Sequence, residues 1–159
     1  RRETEQHQLL YIDLDRFKVV NDSGGHAAGD DLLRKIAVAI KSSVRGFDFV
    51  ARLGGDEFGV VLRSCPPAYA RIAAQKIIDT ISTLRFEWDS TPYSVGASIG
   101  IATIDSNTRS VEALVERADH ACYAAKAAGR GCVWEAGIAG GTNVIGLPKK
   151  PRSAPEEYR

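Results

Sequence analysis

The stretch FVARLGGDEFGVVL, residues 49–62, joins two short apolar runs through four residues that are typical of a tight turn. The runs are Phe49 to Leu53 and Phe58 to Leu62, and the turn reads Gly54-Gly55-Asp56-Glu57. Because glycine adopts positive φ values readily, the paired glycines favour a β-hairpin. The hairpin makes the predicted sheet partly antiparallel and presents two adjacent carboxylates, those of Asp56 and Glu57, at its tip.

The segments on both sides of this hairpin predict the elements that pack around it. Strand-forming runs predict three more strands, at Leu9 to Asp13, Tyr93 to Ile104 and Cys132 to Glu135. Apolar residues at helical spacing predict three helices, from His26 to about Val44, from Pro67 to Leu84, and from a capping Ser110 to near Gly129. The polar segment Asp15 to Gly25 is expected to be a functional loop. This order predicts an α+β fold, an α/β sandwich with a central, mixed, partly antiparallel five-stranded sheet flanked by helices.

Size and composition predict one folded domain of a longer protein. The chain has 159 residues, of which 44% are hydrophobic and 26% are charged, close to the average of globular proteins. The formal net charge is only +1, so nothing global favours a nucleic acid, and we expect none as a partner. The chain contains no methionine. We therefore expect a fragment whose parent protein carries further regions, such as fused sensor domains or a membrane anchor.

Composition along the chain also predicts the domain boundaries and the compartment. We expect residues 1–7 to be a linker, residues 8–135 to form the folded domain, and residues 136–159, which lack periodicity, to be a flexible tail. The three cysteines form no Cys-x-x-Cys pair, which suits a reducing compartment and predicts a cytoplasmic domain. No stretch approaches the roughly 20 apolar residues of a membrane span.

The acidic residues at the predicted strand ends suggest metal-assisted phosphate chemistry. If the first strand lies beside the hairpin, Asp13 comes close to Asp56 and Glu57. Carboxylate oxygens suit Mg²⁺, and two such ions can stabilise the attacking and leaving oxygens of a phosphoryl transfer. Lys18, Lys126 and Arg130 could supply positive charge for a triphosphate. The alternative is that the acids are solvated and that the cations at the last helix merely complement its dipole.

Other phosphate and metal motifs are excluded by single residues. Gly24 and Gly29 have the spacing of a P-loop, but Asp30 follows where a lysine is needed. The segment that starts at Asp13 is not a calcium-binding EF-hand loop, since its twelfth position is Gly24 rather than an acid. The three histidines are too scattered for a zinc site, and no Gly-x-Ser-x-Gly elbow is present.

Three blocks in the same order resemble the GGDEF-domain diguanylate cyclases, bacterial enzymes that make cyclic di-GMP from two GTP molecules. The blocks are Asp13-Leu14-Asp15-Arg16-Phe17-Lys18 with Asn21-Asp22, Gly25-His26 and Gly29-Asp30; Arg52-Leu53-Gly54-Gly55-Asp56-Glu57-Phe58; and Ala125-Lys126-Ala127-Ala128-Gly129-Arg130. The resemblance covers about residues 8 to 135. It implies a fold like that of nucleotidyl cyclases and polymerase palm domains, and a cytoplasmic enzyme that requires Mg²⁺ or Mn²⁺, two ions per active site.

The resemblance also implies roles for individual residues. The metal ligands would be Asp13, the carbonyl of Leu14, Asp56 and Glu57, and the acids of the hairpin, Asp56 and Glu57, would be catalytic. Guanine would be read by Asn21 and Asp30, and His26 would lie near it or only pack at the helix start. The phosphates would be bound by Lys18, Lys126 and Arg130, and by the backbone at Gly54 and Gly55. Gly131 follows Arg130, where the family more often has asparagine.

The segment Arg45-Gly46-Phe47-Asp48 resembles the family's Arg-x-x-Asp product-inhibition site, which predicts an allosteric site for cyclic di-GMP. The alternative is that both residues have only a structural role, Arg45 at the end of a helix and Asp48 in a turn. Each domain would hold one GTP, so catalysis would need a homodimer in which each 3′-hydroxyl attacks the other α-phosphate. Two other functions remain open, namely a non-catalytic regulatory module that binds GTP or cyclic di-GMP, and a cyclase acting on ATP.

Overall fold

The computed structural model describes residues 5–137. In chain order, its elements are β1 His7–Asp15, α1 Phe17–Gly24, α2 His26–Ser42, β2 Phe49–Gly54, β3 Glu57–Leu62, α3 Pro67–Ser82, β4 Phe86–Trp88, β5 Thr91–Tyr93, β6 Gly96–Ile104, α4 Val111–Ala127 and β7 Val133–Glu135. β1 therefore begins one residue before the predicted start of the domain. Most of the predicted tail, residues 138–159, lies outside the described residues.

Five of the strands form one mixed sheet in the order β2-β3-β1-β6-β7. The central strand β1 is antiparallel to both neighbours, β3 and β6, whereas β7 runs parallel to β6. The predicted α+β sandwich with a five-stranded, partly antiparallel sheet is confirmed. Because β1 lies beside β3, the end of β1 meets the start of β3 at the same edge of the sheet.

The helices cover both faces of the sheet, and alternation along β1 determines which side chains face which helix. Leu10, Ile12 and Leu14 are buried in the larger core, which also contains the apolar residues of α2 and α3. Leu9 and Tyr11 are buried in the smaller core against α4. Since successive strand side chains alternate, Asp13 and Asp15 continue the row of Leu9 and Tyr11 and lie on the α4 side.

α4 lies unusually close to β6. A Cβ atom added at Gly100 of β6 would overlap the carbonyl oxygen of Ala118 and the backbone nitrogen of Cys122 in the helix. Only glycine permits this approach. The contact fixes the end of α4 relative to the strands that carry the acidic residues.

The structure corrects two of the predicted elements. The segment predicted as a loop, Asp15 to Gly25, contains the short helix α1, which buries only Phe17 and Val20. The predicted strand from Tyr93 to Ile104 is interrupted, and Thr91–Tyr93 instead pairs with Phe86–Trp88 in a separate two-stranded sheet. The predicted cap of the last helix is confirmed, because the Ser110 hydroxyl accepts a hydrogen bond from the Ala113 N–H at 3.1 Å. No helix among residues 5–137 has the length and hydropathy that a membrane crossing requires.

Candidate functional site

The acidic residues of the first strand and of the hairpin meet at one edge of the sheet. Asp13 and Glu57 are directly opposite each other in the antiparallel pairing of β1 with β3. One residue further along, the Leu14 N–H donates a hydrogen bond to the Asp56 carbonyl oxygen at 3.1 Å. The expected juxtaposition of Asp13 with the hairpin acids thus follows from strand register, which places Glu57 across from Asp13 and Asp56 in the adjoining turn.

The hairpin turn depends on its two glycines for backbone conformation. Gly54 has φ 145° and Gly55 has φ 49°, and an added Cβ would meet nothing within 4 Å at either residue. Both φ values lie in the region that favours glycine, so conformation rather than crowding explains these residues. The backbone at the turn is also open to a ligand. The Arg52 side chain supports the turn from the preceding strand, since its Nε donates to the Gly55 carbonyl oxygen at 2.9 Å.

The Lys126 side chain enters the site from α4 and is buried, with only 3% of its surface exposed. Its Nζ atom lies 2.9 Å from Asp15 Oδ1, 3.3 Å from Asp13 Oδ1 and 3.3 Å from the Leu14 carbonyl oxygen. Asp15 also accepts hydrogen bonds from the Ser98 hydroxyl at 2.8 Å and from the Gly131 N–H at 3.1 Å. The ammonium group is therefore held among oxygen atoms at the end of β1.

The residues at this edge suit a divalent cation in chemistry but do not form a complete metal cage. Asp13, Asp15 and Glu57 supply three carboxylates against the single ammonium group of Lys126, and carboxylate and carbonyl oxygens are the ligands that Mg²⁺ prefers. Within residues 5–137, no three His, Cys, Asp or Glu side chains are grouped closely enough to hold a metal ion. Asp56, in the adjoining turn, also lines the neighbouring cavity. A metal bound here would need further oxygen ligands from its substrate.

A cavity of about 290 Å³ opens beside the hairpin turn. Both residues predicted to read guanine, Asn21 and Asp30, line this cavity, together with other predicted binding residues from α1, α2 and the turn. The full lining is Phe17, Lys18, Asn21, His26, Asp30, Leu33, Arg52, Gly55 and Asp56. Helix α1 turns Lys18 and Asn21 toward the same space as Asp30 of α2, because the two helices meet at Gly25. His26 is exposed at the first position of α2.

Gly29 of α2 makes room for the Asn21 side chain. A Cβ atom at this position would overlap Asn21 Oδ1 and would lie 2.9 Å from Asn21 Cγ and 3.1 Å from Phe17 Cζ. The glycine is buried inside a helix, where alanine has the better helix propensity. Its presence therefore points to a packing requirement, namely that Asn21 lies directly against the helix backbone.

The turn after α4 carries Arg130 in a left-handed conformation. Arg130 has φ 65° and Gly131 has φ 62°, and the Arg130 N–H donates to the Ala125 carbonyl oxygen at 3.1 Å. Glycine and asparagine are the residues that adopt this conformation most readily. The glycine at position 131 therefore keeps a backbone that the family's more common asparagine would also accept, and its N–H is used by Asp15.

Arg45 and Asp48 form a compact ion pair just beyond the C-terminal end of α2, whereas the cavity is lined by the N-terminal half of that helix. The Asp48 carboxylate accepts from Arg45 Nε and Nη2 at 3.0 Å each, from the Arg45 N–H at 2.9 Å, and from the Arg63 N–H at 3.0 Å. The Arg45 side chain is 45% exposed, whereas that of Asp48 is fully covered. Arg45 therefore offers a ligand an accessible guanidinium group, and Asp48 would have to exchange an internal hydrogen bond in order to bind one.

These contacts change the acidity of Asp48. Burial alone would raise the pKa of its carboxyl group, but the hydrogen bonds from the Arg45 side chain and from the Arg63 and Arg45 backbone outweigh burial and lower the pKa below its ordinary value. Burial also raises the pKa of the thiols of Cys65, Cys122 and Cys132. The cysteines thus remain protonated thiols near neutral pH.

Sequence reasoning missed three residues of the site: Asp15, Ser98 and Arg52. Asp15 could have been found, because it is two residues beyond Asp13 in a strand and so lies on the same face. Ser98 gave no signal, since nothing local in its strand indicates that its hydroxyl bonds a residue 83 positions away. Arg52 belongs to the quoted hairpin block, but its support of the turn depends on the fold.

Comparisons with known proteins identify the family and the fold. The family model described as "Diguanylate cyclase, GGDEF domain" matches residues 1–132. The chain is 50% identical over 129 residues to the "Probable diguanylate cyclase DgcE" of Escherichia coli strain K12, a match that covers 81% of this chain and 12% of that protein. The chain thus spans about an eighth of the length of this curated relative.

Two solved structures show the same fold. The GGDEF domain of TpbB (YfiN) from Pseudomonas aeruginosa is 40% identical, with a TM-score of 0.78 and coverage of 84% of this chain and 84% of that one. The GGDEF domain of DgcB from Caulobacter crescentus, solved in complex with c-di-GMP, is 30% identical, with a TM-score of 0.76 and coverage of 83% and 78%. The predicted resemblance is confirmed.

Proposed function

Because this chain belongs to the diguanylate cyclase GGDEF-domain family, we propose that it condenses two GTP molecules into cyclic di-GMP and releases two pyrophosphates. The observation that carries the proposal is the adjacency of the Asn21 and Asp30 cavity to the acidic edge formed by Asp13 and Glu57. A nucleotide whose base enters that cavity can direct its phosphates along the open hairpin turn toward the acids.

Guanine selectivity rests on the chemistry of Asp30 and Asn21. Guanine offers N1–H and N2–H₂ donors, which the Asp30 carboxylate and the Asn21 amide oxygen can accept. Adenine lacks this pair of donors, so its entry would cover both acceptors and leave them without hydrogen bonds, and such a site rejects the wrong base strongly. This difference also argues against a cyclase that acts on ATP.

The phosphates are assigned to the cationic and backbone groups around the turn. Lys18 lines the same cavity as the guanine-reading pair and is exposed to a ligand. Gly54 and Gly55 present backbone without side chains, and Lys126 and Arg130 approach from the end of α4. In this proposal Lys126 reaches a phosphate only when a nucleotide offers it a new partner, because its ammonium group is already engaged with carboxylates.

We assign Mg²⁺ or Mn²⁺, two ions per active site, to Asp13, the Leu14 carbonyl, Asp56 and Glu57. When bound, such ions withdraw charge from the reacting phosphate oxygens and stabilise the leaving pyrophosphate. Asp56, which faces the cavity, or its neighbour Glu57 accepts the proton of the attacking 3′-hydroxyl. The new bond joins that 3′-oxygen to an α-phosphorus, and the bond from this phosphorus to pyrophosphate breaks.

Catalysis requires two copies of the domain. The domain presents one cavity beside one set of acids, so in this proposal it holds one nucleotide, and each 3′-hydroxyl must reach the α-phosphate held by a second domain. Holding two nucleotides face to face makes the attack effectively unimolecular, which is the principal source of rate in this scheme. We expect fused domains of the parent protein to control how the two copies meet.

Product control is assigned to Arg45 and Asp48. The exposed Arg45 guanidinium can bind a phosphate of cyclic di-GMP, and Asp48 can bind the guanine edge by giving up a hydrogen bond within the turn. The pair is remote from the acidic edge but adjoins β2, the first strand of the hairpin. A product molecule bound there could bridge two domains and hold their active sites apart without competing with GTP.

The test is incubation of the chain with GTP and Mg²⁺, followed by nucleotide chromatography. The expected product is cyclic di-GMP from GTP, with none from ATP, and a rate per domain that rises with protein concentration because two copies are needed. Asp30→Ala should lose GTP affinity with its helix content retained. A chain that binds GTP or cyclic di-GMP tightly but forms no product at any concentration would instead be a regulatory module.

A further inference from the structure

The position of Lys126 has a consequence for metal binding. Its Nζ atom lies 3.3 Å from Asp13 Oδ1 and 3.3 Å from the Leu14 carbonyl oxygen, the two atoms of β1 assigned above as metal ligands. The side chain is 3% exposed, so water cannot screen its charge effectively. A positive charge fixed at this distance opposes a second cation on the same oxygens.

The lysine is also anchored so that it cannot leave the site easily. Asp15 Oδ1 is its nearest partner, at 2.9 Å. The same carboxylate is held in place by the Ser98 hydroxyl at 2.8 Å and by the Gly131 N–H at 3.1 Å. Asp15 is thus a rigid anchor that keeps the ammonium group next to the metal ligands even when one of its other contacts is lost.

We propose that Lys126 is a tethered cation that competes with divalent metal for Asp13 and the Leu14 carbonyl, so that the domain binds metal together with the triphosphate rather than before it. The inference rests on the proposed function for the identity of the metal ligands. A triphosphate brings negative oxygens that give Lys126 a new partner and the metal its remaining ligands. Asp15 is the positioning residue that keeps Lys126 within reach of both.

The competition predicts a gain of metal affinity when the charge is removed. A positive charge a few ångströms from a carboxylate typically lowers the affinity of that carboxylate for a proton by roughly tenfold to a thousandfold, and we expect at least as strong an effect on a divalent cation. Lys126→Met should therefore bind Mn²⁺ at least about tenfold more tightly than the wild type in the absence of nucleotide, although it removes a group assigned to phosphate binding.

The experiment is a Mn²⁺ titration of the nucleotide-free chain, with free Mn²⁺ measured by electron paramagnetic resonance. Lys76→Met, a change at an exposed lysine of α3, is the matched control and should equal the wild type. Lys126→Gln is a second variant that keeps a hydrogen-bonding group, and circular dichroism checks that each variant is folded. Added Mn²⁺ should also raise the Tm of the Lys126 variants more than that of the wild type.

The outcomes separate this inference from the proposed function. Unchanged or weaker Mn²⁺ affinity in the folded Lys126 variants would overturn the tethered-cation role, even if the wild type makes cyclic di-GMP. A gain in a chain that makes no cyclic di-GMP would support the inference and refute the activity. Adding Asp13→Asn to Lys126→Met should abolish the gain, and a gain that persists would show that the metal binds elsewhere and overturn the inference.

Discussion

Replacing Gly29 with alanine should displace Asn21, the residue proposed to read guanine, without replacing any residue assigned to nucleotide binding. The new Cβ atom would overlap Asn21 Oδ1 and lie 2.9 Å from its Cγ, so the amide must rotate or move away. The backbone of α2 can accept alanine, because Gly29 lies within a regular helix. The change therefore acts on the Asn21 side chain rather than on the helix.

The expected loss of GTP affinity corresponds to the hydrogen bond with guanine that Asn21 could no longer make. Loss of the hydrogen bond that Asn21 is proposed to make with guanine should cost about 1–3 kcal/mol, which corresponds to a weakening of GTP binding by about 5- to 150-fold. For folding, alanine gains about 0.5–1 kcal/mol of helix propensity over glycine. The crowding of Asn21 and Phe17 opposes this gain with about 1–3 kcal/mol, so stability should change little or fall modestly.

The assay is calorimetric binding of a non-reacting GTP analogue to four proteins, namely the wild type, Gly29→Ala, Asn21→Ala and the double variant. Since Asn21→Ala removes the closest atoms that the new methyl group meets, the double variant should bind no more weakly than Asn21→Ala alone. The stability cost of Gly29→Ala should be smaller in that background, where only the 3.1 Å approach to Phe17 Cζ remains. Unchanged affinity in Gly29→Ala, or additive losses in the double variant, would refute the reasoning.

Three further predictions concern control, acid stability and packing. Arg45→Ala should relieve inhibition by added cyclic di-GMP and leave the initial velocity unchanged. If the variant and the wild type gave equal inhibition curves, Arg45 and Asp48 would have only a structural role, at a helix end and in a turn. Because the pKa of Asp48 is lower in the folded state, its ionised carboxylate stabilises the fold at pH values above the ordinary aspartate pKa. This stabilisation is lost as the pH falls through the pKa of Asp48 in the folded state. In urea unfolding, Asp48→Asn should therefore lose less stability than the wild type when the pH falls below about 4. Parallel pH profiles would contradict this. Gly100→Ala should cost about 3 kcal/mol in the same experiment because helix backbone blocks the methyl group, whereas Gly46→Ala, with nothing within 4 Å, should be tolerated. Similar losses at both glycines would count against the packing argument.

The hairpin and the long helices could be predicted because their signals are local. Paired glycines between apolar runs place the turn, and the helix that begins at His26 ends within two residues of its predicted end. Helix α1 was not predicted because it has eight residues and buries only Phe17 and Val20, which are too few to show a periodic pattern in the sequence. The β4–β5 hairpin was not predicted because Pro92 argues against a strand. Its turn also lacks glycine, since Asp89 and Ser90 adopt the positive φ values instead.

Some features of the site could likewise be predicted from local motifs, whereas others depend on contacts between distant parts of the chain. Asp13, Asp56, Asn21 and Asp30 could be selected from motif spacing, and the fold explains how they converge. The burial of Lys126 could not be predicted, because it depends on how closely α4 packs on β6 and on a carboxylate 111 residues away in the chain. A lysine at the end of a helix would ordinarily point into solvent.

The proposed reaction converts two GTP molecules into one cyclic di-GMP and depends on the acids at the edge formed by β1 and β3. The most direct measurement is the ratio of pyrophosphate released to cyclic di-GMP formed, for the wild type, Glu57→Gln and the exposed control Glu87→Gln. We expect a ratio of two for the wild type and the control, and no product from a folded Glu57→Gln. Near wild-type turnover in Glu57→Gln, or pyrophosphate release without cyclic di-GMP, would contradict the account.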